Sequence, residues 1–160
     1  MAVFLYIVRH GEAEPLTKED HSRALTEHGQ WEAKRTALWL KTQVNVFSHT
    51  FVSPYRRAQQ TKDIILNFGP STDNEATESL LTPEGSASTA MDFLLASVDA
   101  KSSQDQHILC VSHMPLVSYL IGELTGYTPI MATAGVAQIK VDLEKWQGQL
   151  KALLSPDQML

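Results

Sequence analysis

A short apolar run that ends abruptly in polar residues is the feature that most constrains how this chain can fold. Residues 3–8 are apolar and β-prone, and Arg9, His10 and Gly11 follow them directly. The pattern predicts a buried strand that stops and turns sharply, with Gly11 allowing a positive φ or a close backbone approach. Open α/β sheets bind ligands at the carboxyl ends of their strands. The strand end therefore presents a cation and an imidazole, which suit an anionic substrate and a nitrogen nucleophile.

Two later apolar runs end in the same way. Residues 50–52 lead through polar residues to Arg57, and residues 107–111 lead to His113. Strands that are connected through helices tend to run parallel with right-handed crossovers, so their carboxyl ends lie on one side of the sheet. We therefore expect arginines and histidines that are far apart in the sequence to meet at one site.

Capping residues predict where the intervening helices begin. Thr26 can serve as the N-cap of a helix that runs to about residue 42, and Ser53 followed by Pro54 predicts the next start. Thr82 and Pro83 predict a third start of the same kind. The side chains expected on the buried faces of the second and third helices are Ala58, Thr61, Ile65, Phe68, Ala90, Phe93 and Leu94.

The C-terminal part of the chain predicts a helix followed by an antiparallel ribbon. Pro115 fits the first turn of a helix that reaches Gly126, and the free backbone N–H groups at its start would face an anion placed there. Residues 135–141 alternate as a strand, and a turn at residues 145–148 returns the chain into residues 149–154. The predicted fold class is α/β: a three-layer α/β/α sandwich with a mostly parallel central sheet and an antiparallel edge.

Composition limits the class of protein. With 160 residues we expect one domain over residues 1–160, and a net charge of −5 argues against broad electrostatic binding to nucleic acid. The single Cys110 excludes an intrachain disulfide and fits a reducing compartment. The first apolar run is too short for a signal peptide, and no run approaches the ~20 residues that cross a bilayer. We therefore expect a soluble, cytoplasmic protein that does not bind membranes.

Three motifs carry a resemblance to a known family. The chain resembles the histidine phosphatase superfamily, which includes the phosphoglycerate mutases, and within it the SixA-type phosphohistidine phosphatases. These are small bacterial enzymes that act on the phosphohistidine of histidine-containing phosphotransfer (HPt) domains. The three motifs are Arg9-His10-Gly11, Ser53-Pro54-x-x-Arg57-Ala58-x-x-Thr61 and Ser112-His113. The stretches that resemble the SixA type in particular are Leu25-Thr26, Leu81-Thr82-Pro83 and Ser112-His113-x-Pro115-Leu116-Val117.

The resemblance implies a role for each site residue. His10 would be the nucleophile that becomes transiently phosphorylated, and Arg9, Arg57 and His113 would bind the phosphoryl group. Arg57 takes this role rather than its neighbour because the arginine of the second motif precedes an alanine. Arg23, near the end of the loop after the first strand, is a further candidate for phosphate binding. The implied fold is phosphoglycerate mutase-like, and the implied partner is a phosphorylated HPt-like domain.

The chemistry of these residue types supports the same roles. An imidazole with its ordinary pKa of ~6.5 is substantially neutral at neutral pH, and one ring nitrogen can attack while the other donates to an acceptor such as a backbone carbonyl. Arginine offers a planar fork of donors that matches phosphate oxygens, and the transition state spreads charge over three of them. A phosphorylated histidine splits hydrolysis into two displacements. The chain has no HExxH motif and only one cysteine, so we expect neither a metal nor another cofactor.

The identity of the substrate depends on the leaving group. A phosphoester needs a general acid, and the candidates here are Glu78 and Glu84, although each is also explained as a loop or helix-start carboxylate. A phosphoramidate needs less help because a protonated imidazole leaves easily, so the compact chain favours a P–N substrate. Two alternatives stay open: the same chemistry on a small phosphomonoester, and a phosphate-binding module without turnover.

Overall fold

A central sheet with helices on both faces accounts for residues 1–16 and 19–159, which the computed structural model describes. In chain order the strands are β1 (Val3–Arg9), β2 (Val46–Phe47), β3 (His49–Val52), β4 (Ser71–Thr72), β5 (Glu75–Thr77), β6 (Gln106–Ser112), β7 (Val136–Asp142) and β8 (Gln147–Leu154). The α-helices are α1 (Glu27–Gln43), α2 (Arg56–Phe68), α3 (Ala87–Ala96) and α4 (Leu116–Thr125), and short 3₁₀ turns cover Asp20–Ser22, Ser79–Leu81 and Pro156–Gln158.

The main sheet is parallel in its centre and antiparallel at one edge. Its strand order is β5-β3-β6-β1-β7-β8, with β5, β3, β6 and β1 parallel. β7 pairs antiparallel with β1, and β8 pairs antiparallel with β7, which confirms the predicted ribbon. The predicted α/β fold class is therefore confirmed. A small parallel pair of β2 and β4 was not predicted.

Alternation along β1 separates two buried layers. Leu5 and Ile7 pack into a core with residues of α3 and α4, whereas Tyr6 and Val8 pack into a second core with residues of α1 and α2. Successive side chains of a strand point to opposite faces, so a fully apolar strand requires cover on both sides. The apolar run of β1 is thus the reason that the sheet lies between two helical layers.

The predicted start of α2 is wrong. The helix begins at Arg56 with Tyr55 in the N-cap position, and within the described chain no side chain caps it. Ser53 lies two residues before the N-cap, and its hydroxyl oxygen is 2.7 Å from Nε2 of His113 instead of capping the helix. Pro54 is consequently an exposed residue of the connection rather than the first residue of the helix.

The predicted N-cap of α3 is also wrong. Ser86, rather than Thr82, is its N-cap, and the Ser86 hydroxyl accepts from the backbone N–H of Thr89. Two predicted core positions are wrong as well. Phe68 is 45% exposed beneath the ammonium of Lys34, and Phe93 is 38% exposed with its ring edge against Phe51. Within residues 1–16 and 19–159, no helix combines the length and apolar character that crossing a membrane requires.

Candidate active site

Strand register brings the site residues together. β1 and β6 pair with Arg9 opposite Ser112, so His10 and His113 each follow the end of a neighbouring parallel strand. The backbone N–H of His10 donates to the Ser112 carbonyl at 3.0 Å, which continues this pairing. The centroids of the two imidazole rings are 5.0 Å apart. The two histidines therefore lie side by side, as the pattern of polar strand ends predicts.

His10 is a buried imidazole with a defined tautomer. Its Nδ1 lies 2.7 Å from the carbonyl oxygen of Gly11, so Nδ1 carries the proton and donates it there. The Nε–H of Arg57 points at Nε2 of His10 from 3.2 Å, so Nε2 accepts and holds a lone pair. The predicted backbone acceptor is confirmed, and the nitrogen with the lone pair is Nε2.

The surroundings of His10 keep the ring neutral. The pKa of His10 is lowered from 6.5 to about 4, mainly by burial and also by the positive charges of Arg57, Arg9 and Arg23, while the hydrogen bond to Gly11 opposes the shift. The ring is 7% exposed, so water stabilises its charged form poorly. At neutral pH His10 is therefore a neutral nitrogen base beside guanidinium groups.

Arg57 reaches His10 from the first turn of α2. Besides its bond to His10, it donates from Nη1 to the Asp20 carbonyl at 2.7 Å and from Nη2 to the Asp20 carboxylate at 3.2 Å. Burial lowers the pKa of Arg57 while the Asp20 carboxylate raises it, and an arginine stays charged at neutral pH under such shifts. Arg56 is exposed and donates to the Ser22 carbonyl, so only one arginine of the pair faces His10.

Arg9 completes the cationic side of the site from the end of β1. Its Nη1 donates to the carbonyl of Met131 at 2.8 Å, while its Nε is buried and has no hydrogen-bond partner among the described residues. Burial lowers the pKa of Arg9, and the negative charge of Glu32 opposes that shift. The Nε–H of this fixed guanidinium can therefore donate a hydrogen bond to a bound anion.

Arg23 is connected to the site through Asp20. Its Nε and Nη2 lie 3.0 and 2.9 Å from the Asp20 carboxylate, and its Nη1 donates to the Glu14 carbonyl at 2.8 Å. Asp20 therefore bridges Arg23 and Arg57, and both arginines lower the pKa of this carboxyl despite its partial desolvation. The positive charge of Arg23 acts on His10, although the two side chains are not bonded to each other.

His113 is the most deeply buried ionisable group of the site. It is 1% exposed, its Nε2 lies 2.7 Å from the hydroxyl of Ser53, and its Nδ1 has no hydrogen-bond partner within residues 1–16 and 19–159. Burial is the main cause that lowers the pKa of His113 to about 2, and His10 and Arg57 contribute to the same shift. The ring of Tyr55 lies edge-on to the ring of His113, and the two ring centroids are 5.0 Å apart.

A close contact between glycines fixes the loop that follows β1. A Cβ atom at Gly11 would lie 2.6 Å from the carbonyl oxygen of Gly29 in α1, and one at Gly29 would overlap the Glu12 carbonyl. Glu32 of α1 accepts from the Glu12 backbone N–H at 2.8 Å and from the Thr133 hydroxyl. Of the two possibilities that the sequence offers for Gly11, close approach is the one observed.

The carboxylates considered as general acids are not bonded to this cluster among the described residues. Glu78 directly follows β5, at the carboxyl end of the parallel strands, and is partly buried. Glu84 is exposed in the connection before α3. In the part of the chain that the structure describes, neither makes a side-chain hydrogen bond or ion pair with His10, Arg57 or His113. The same residues contain no group of three or more His, Cys, Asp or Glu side chains suited to holding a metal ion.

Sequence reasoning missed three contributors to the site. Ser53 is predicted only as a helix N-cap, and neither Tyr55 nor Asp20 is among the predicted site residues. The signal for Ser53 was available, because it directly follows β3 just as His10 follows β1. Nothing in the sequence indicates that Asp20 would pair with Arg57, since the two are 37 positions apart and joined only by the folding of the loop.

Comparisons with known proteins agree with this geometry. The family model of the histidine phosphatase superfamily (branch 1) matches residues 5–81. Phosphohistidine phosphatase SixA of Escherichia coli (strain K12) is 35% identical over 157 residues, covering 95% of this chain and 93% of that protein. The structure of the protein histidine phosphatase SixA complexed with tungstate superposes with a TM-score of 0.87 at 30% identity, covering 96% of this chain and 97% of the other.

These findings define the class. The chain belongs to the histidine phosphatase superfamily, and the relatives it matches are phosphatases. Within that superfamily its similarity is to the SixA type. A phosphoglycerate mutase of Plasmodium falciparum shares the fold, with a TM-score of 0.72 at 19% identity over 100% of this chain and 94% of that one.

Proposed function

We propose that this chain is a phosphohistidine phosphatase that acts on a protein phosphohistidine of the HPt type through a phospho-His10 intermediate, without a metal. The observation that carries the proposal is the state of His10: a neutral, buried imidazole with its lone pair on Nε2, 3.2 Å from Nε of Arg57. A nitrogen nucleophile beside a guanidinium suits attack on a phosphoryl group whose charge the guanidinium offsets.

The first displacement forms a P–N bond on the enzyme. Nε2 of His10 donates its lone pair to phosphorus, the P–N bond of the substrate breaks, and the substrate imidazole, which already carries a proton on its other ring nitrogen, leaves as the neutral ring with the electron pair. Arg9, Arg57 and His113 supply donors to the phosphoryl oxygens while charge accumulates there. Gly11 keeps its hydrogen bond to Nδ1, which stabilises the positive ring that phosphorylation creates.

The second displacement returns the enzyme to its starting state. A water molecule attacks phosphorus, the bond between phosphorus and Nε2 breaks, and His10 recovers its lone pair while the water's proton passes to the phosphate or to solvent. Asp20 accepts from both terminal nitrogens of Arg57, and each of these nitrogens has a second N–H that can donate to a bound phosphoryl group. Arg23, which is bonded to the same carboxylate, adds positive charge that acts on His10.

A phosphoramidate substrate fits the distribution of carboxylates. Glu78 and Glu84 are not bonded to the reacting cluster in the described chain, and a protonated imidazole needs no strong acid in order to leave. The curated relative that is 35% identical carries the name phosphohistidine phosphatase, which supports the same substrate class. We propose further that residues 1–160 act as one domain in the cytoplasm, as part of signal transduction.

The test compares two substrates and traps the intermediate. We expect the purified chain to release phosphate from a ³²P-labelled phosphorylated HPt domain much faster than it hydrolyses p-nitrophenyl phosphate. We also expect acid-labile ³²P on the wild-type protein and none on His10→Ala. His28→Ala, at an exposed histidine of α1, is the matched control and should label normally.

Each other outcome contradicts a defined part of the proposal. A strong preference for p-nitrophenyl phosphate would favour a phosphatase of small phosphomonoesters. Turnover without label on His10 would exclude the covalent intermediate. Phosphate binding with neither label nor turnover would favour a binding module. Activity that disappears on dialysis against EDTA and returns with a divalent metal would exclude metal independence.

A further inference from the structure

We propose that Ser53 is a positioning residue that fixes the proton of His113 on Nδ1, so that this ring offers an N–H donor to the phosphoryl group. The inference rests on the proposed function, because it assigns His113 a phosphoryl oxygen as its partner. It goes beyond that function by naming the residue that selects the tautomer. From the sequence, Ser53 is predicted to be a helix N-cap, but in the structure Tyr55 is the N-cap of α2.

Ser53 is held rigidly next to the ring. The residue is completely buried, and its backbone N–H donates to the Val111 carbonyl at 3.1 Å, extending the pairing of β3 with β6. Its hydroxyl oxygen lies 2.7 Å from Nε2 of His113. The same oxygen lies 3.3 Å from the backbone nitrogen of Tyr55, whose N–H donates to it.

Counting donors and acceptors decides the direction of the bond. A serine hydroxyl has one proton and two lone pairs, and the Tyr55 N–H occupies one lone pair. If the hydroxyl donates its proton to Nε2 of His113, every polar group of Ser53 is satisfied. If Nε2 carried the proton instead, the hydroxyl proton of Ser53 would have no acceptor among the residues that the structure describes, in a fully buried setting where an unmade hydrogen bond is unfavourable.

The selected tautomer places a donor where the reaction needs one. With Nε2 acting as acceptor, the proton of neutral His113 is on Nδ1, the ring nitrogen that finds no partner in the described chain. Buried donors without partners are rare and call for an explanation such as a ligand. The ring is adjacent to that of His10, so a phosphoryl group on Nε2 of His10 supplies the missing acceptor. His113 can then donate one hydrogen bond without first being charged, which matters because burial lowers its pKa.

The tautomer can be read directly by NMR. Long-range ¹H–¹⁵N correlation spectra of the ¹⁵N-labelled protein at pH 7 distinguish a protonated ring nitrogen from an unprotonated one. His113 is assigned as the ring whose signals disappear in His113→Gln. We expect wild-type His113 to be protonated on Nδ1 and unprotonated on Nε2. This measurement needs neither substrate nor a variant of Ser53.

Variants of Ser53 connect the tautomer to activity. In Ser53→Ala the proton of His113 should be distributed over both ring nitrogens. We expect kcat for the phosphorylated HPt domain to fall about 10- to 100-fold, which does not exceed the loss expected when a transition-state donor is removed. Ser53→Thr keeps the hydroxyl and should retain the wild-type tautomer. Ser48→Ala removes a hydroxyl that donates to the His107 carbonyl at 2.9 Å, remote from the site, and should change neither readout.

Two results would overturn the inference. One is a wild-type spectrum with the proton of His113 on Nε2; the other is a folded Ser53→Ala protein whose His113 signals equal those of the wild type. Either would leave the proposed function intact, since phosphorylation of His10 is measured separately. Conversely, a protein that shows the expected tautomer but never labels on His10 would reject the proposed function and leave the tautomer assignment standing.

Discussion

At the scale of single residues, Arg57 is the side chain whose replacement should affect the chemistry most without removing the nucleophile. Its guanidinium contacts Nε2 of His10 and two oxygens of Asp20 at once. We expect Arg57→Ala to lower kcat/KM about 10²–10³-fold. Arg57→Lys should restore little, because a lysine is a point charge that cannot reproduce a planar fork. Steady-state hydrolysis of the phosphorylated HPt domain measures both.

The neighbouring arginine provides the matched control. Arg56 has the same charge and the adjacent position in α2, but its side chain is exposed and bonded to a loop carbonyl. Arg56→Ala should keep kcat/KM within about a factor of three of the wild type, since surface changes of this kind are small. Equal losses for the two variants would mean that general positive charge, rather than the geometry of Arg57, supports activity.

The buried imidazoles also make stability depend on pH. Burial lowers the pKa of His10 to about 4 and that of His113 to about 2, against an ordinary value of 6.5. Between pH 6.5 and the lowered pKa of each histidine, the unfolded chain binds more protons than the folded one. The free energy of unfolding therefore falls as the pH is lowered through 6.5. From pH 6.5 to 5 we expect a loss of about 1–2 kcal/mol for each histidine.

Urea unfolding at both pH values measures this dependence. His113→Gln and His10→Gln should each lose the corresponding part of the difference between pH 6.5 and 5. Between pH 7.5 and 9 the two histidines are neutral in both states, so there wild type and variants should show parallel curves. If neither variant reduces the dependence below pH 6.5, the histidines are not the groups responsible.

Much of the site's residue content, but not its internal bonding, could be predicted from the sequence. The polar ends of three apolar runs identify Arg9, His10, Arg57 and His113, and parallel strands bring such ends together. Ser53 was misassigned because a serine before a proline is a good helix start in isolation. Its bond to His113 depends on the register between two strands, and periodicity within a single segment contains no information about register.

At the scale of elements, the position of α1 against the loop after β1 controls where His10 lies. Neither Gly11 nor Gly29 can accept a side chain without displacing backbone. We expect Gly29→Ala to lower the free energy of unfolding by about 1–3 kcal/mol, as overpacking does, and to reduce kcat because the Gly11 carbonyl that orients His10 must move. Urea unfolding and hydrolysis of the phosphorylated HPt domain measure the two effects.

A second glycine separates loss of stability from loss of orientation. Gly126 ends α4 with φ +75 and has open space around it, so Gly126→Ala is strained but displaces nothing. It should lower stability by about 1 kcal/mol, the usual penalty for a non-glycine residue in that conformation, and leave kcat unchanged. A Gly29→Ala protein with wild-type kcat would show that the loop can move without disturbing the nucleophile.

The N-cap of α1 was predicted correctly, whereas those of α2 and α3 were not. Thr26 caps α1 by accepting from the Gly29 N–H, as its sequence suggests. Ser53 and Thr82 have the same local signature, but the first is bonded to His113 and the second follows a 3₁₀ turn. A long-range bond overrides the local preference at Ser53, whereas the Thr82 hydroxyl donates within the 3₁₀ turn to Ser79. Phe68 and Phe93 were predicted as core because helical spacing alone does not show how far a helix face is covered.

At the scale of the whole molecule, the C-terminal segment closes the core on the side of α1 and α2. Met159 is 2% exposed within that core, and Arg35 of α1 donates to the backbone carbonyls of Pro156 and Met159. We expect Met159→Ala to lower the free energy of unfolding by about 2 kcal/mol, the lower end for a buried methionine because the segment can adjust. Thermal and urea unfolding measure the change.

The exposed neighbour Asp157 is the control for this prediction. Asp157→Ala should change stability by no more than about 0.5 kcal/mol, and neither variant should alter kcat, since the segment is far in sequence and in contacts from His10. If Met159→Ala is as stable as the wild type, the C-terminal segment only covers the core without contributing to it.

The overall architecture could be predicted because apolar patterning determines it. Strands buried on both faces require two helical layers, and helical connections make those strands parallel. The antiparallel ribbon of β7 and β8 was recognisable from its alternation and turn. The small β2–β4 pair was not, since two residues per strand are too few for any periodicity.

The register of β1 against β6 has a consequence for how this molecule tolerates change. Arg9 faces Ser112, so each imidazole emerges one step beyond the same pair of residues. The separation of the two rings is therefore set by the backbone hydrogen bonds that pair β1 with β6. Deleting one residue inside either strand would turn the following histidine toward the opposite helical layer. Variation at exposed helix positions can therefore accumulate while the spacing of the two imidazoles stays constant.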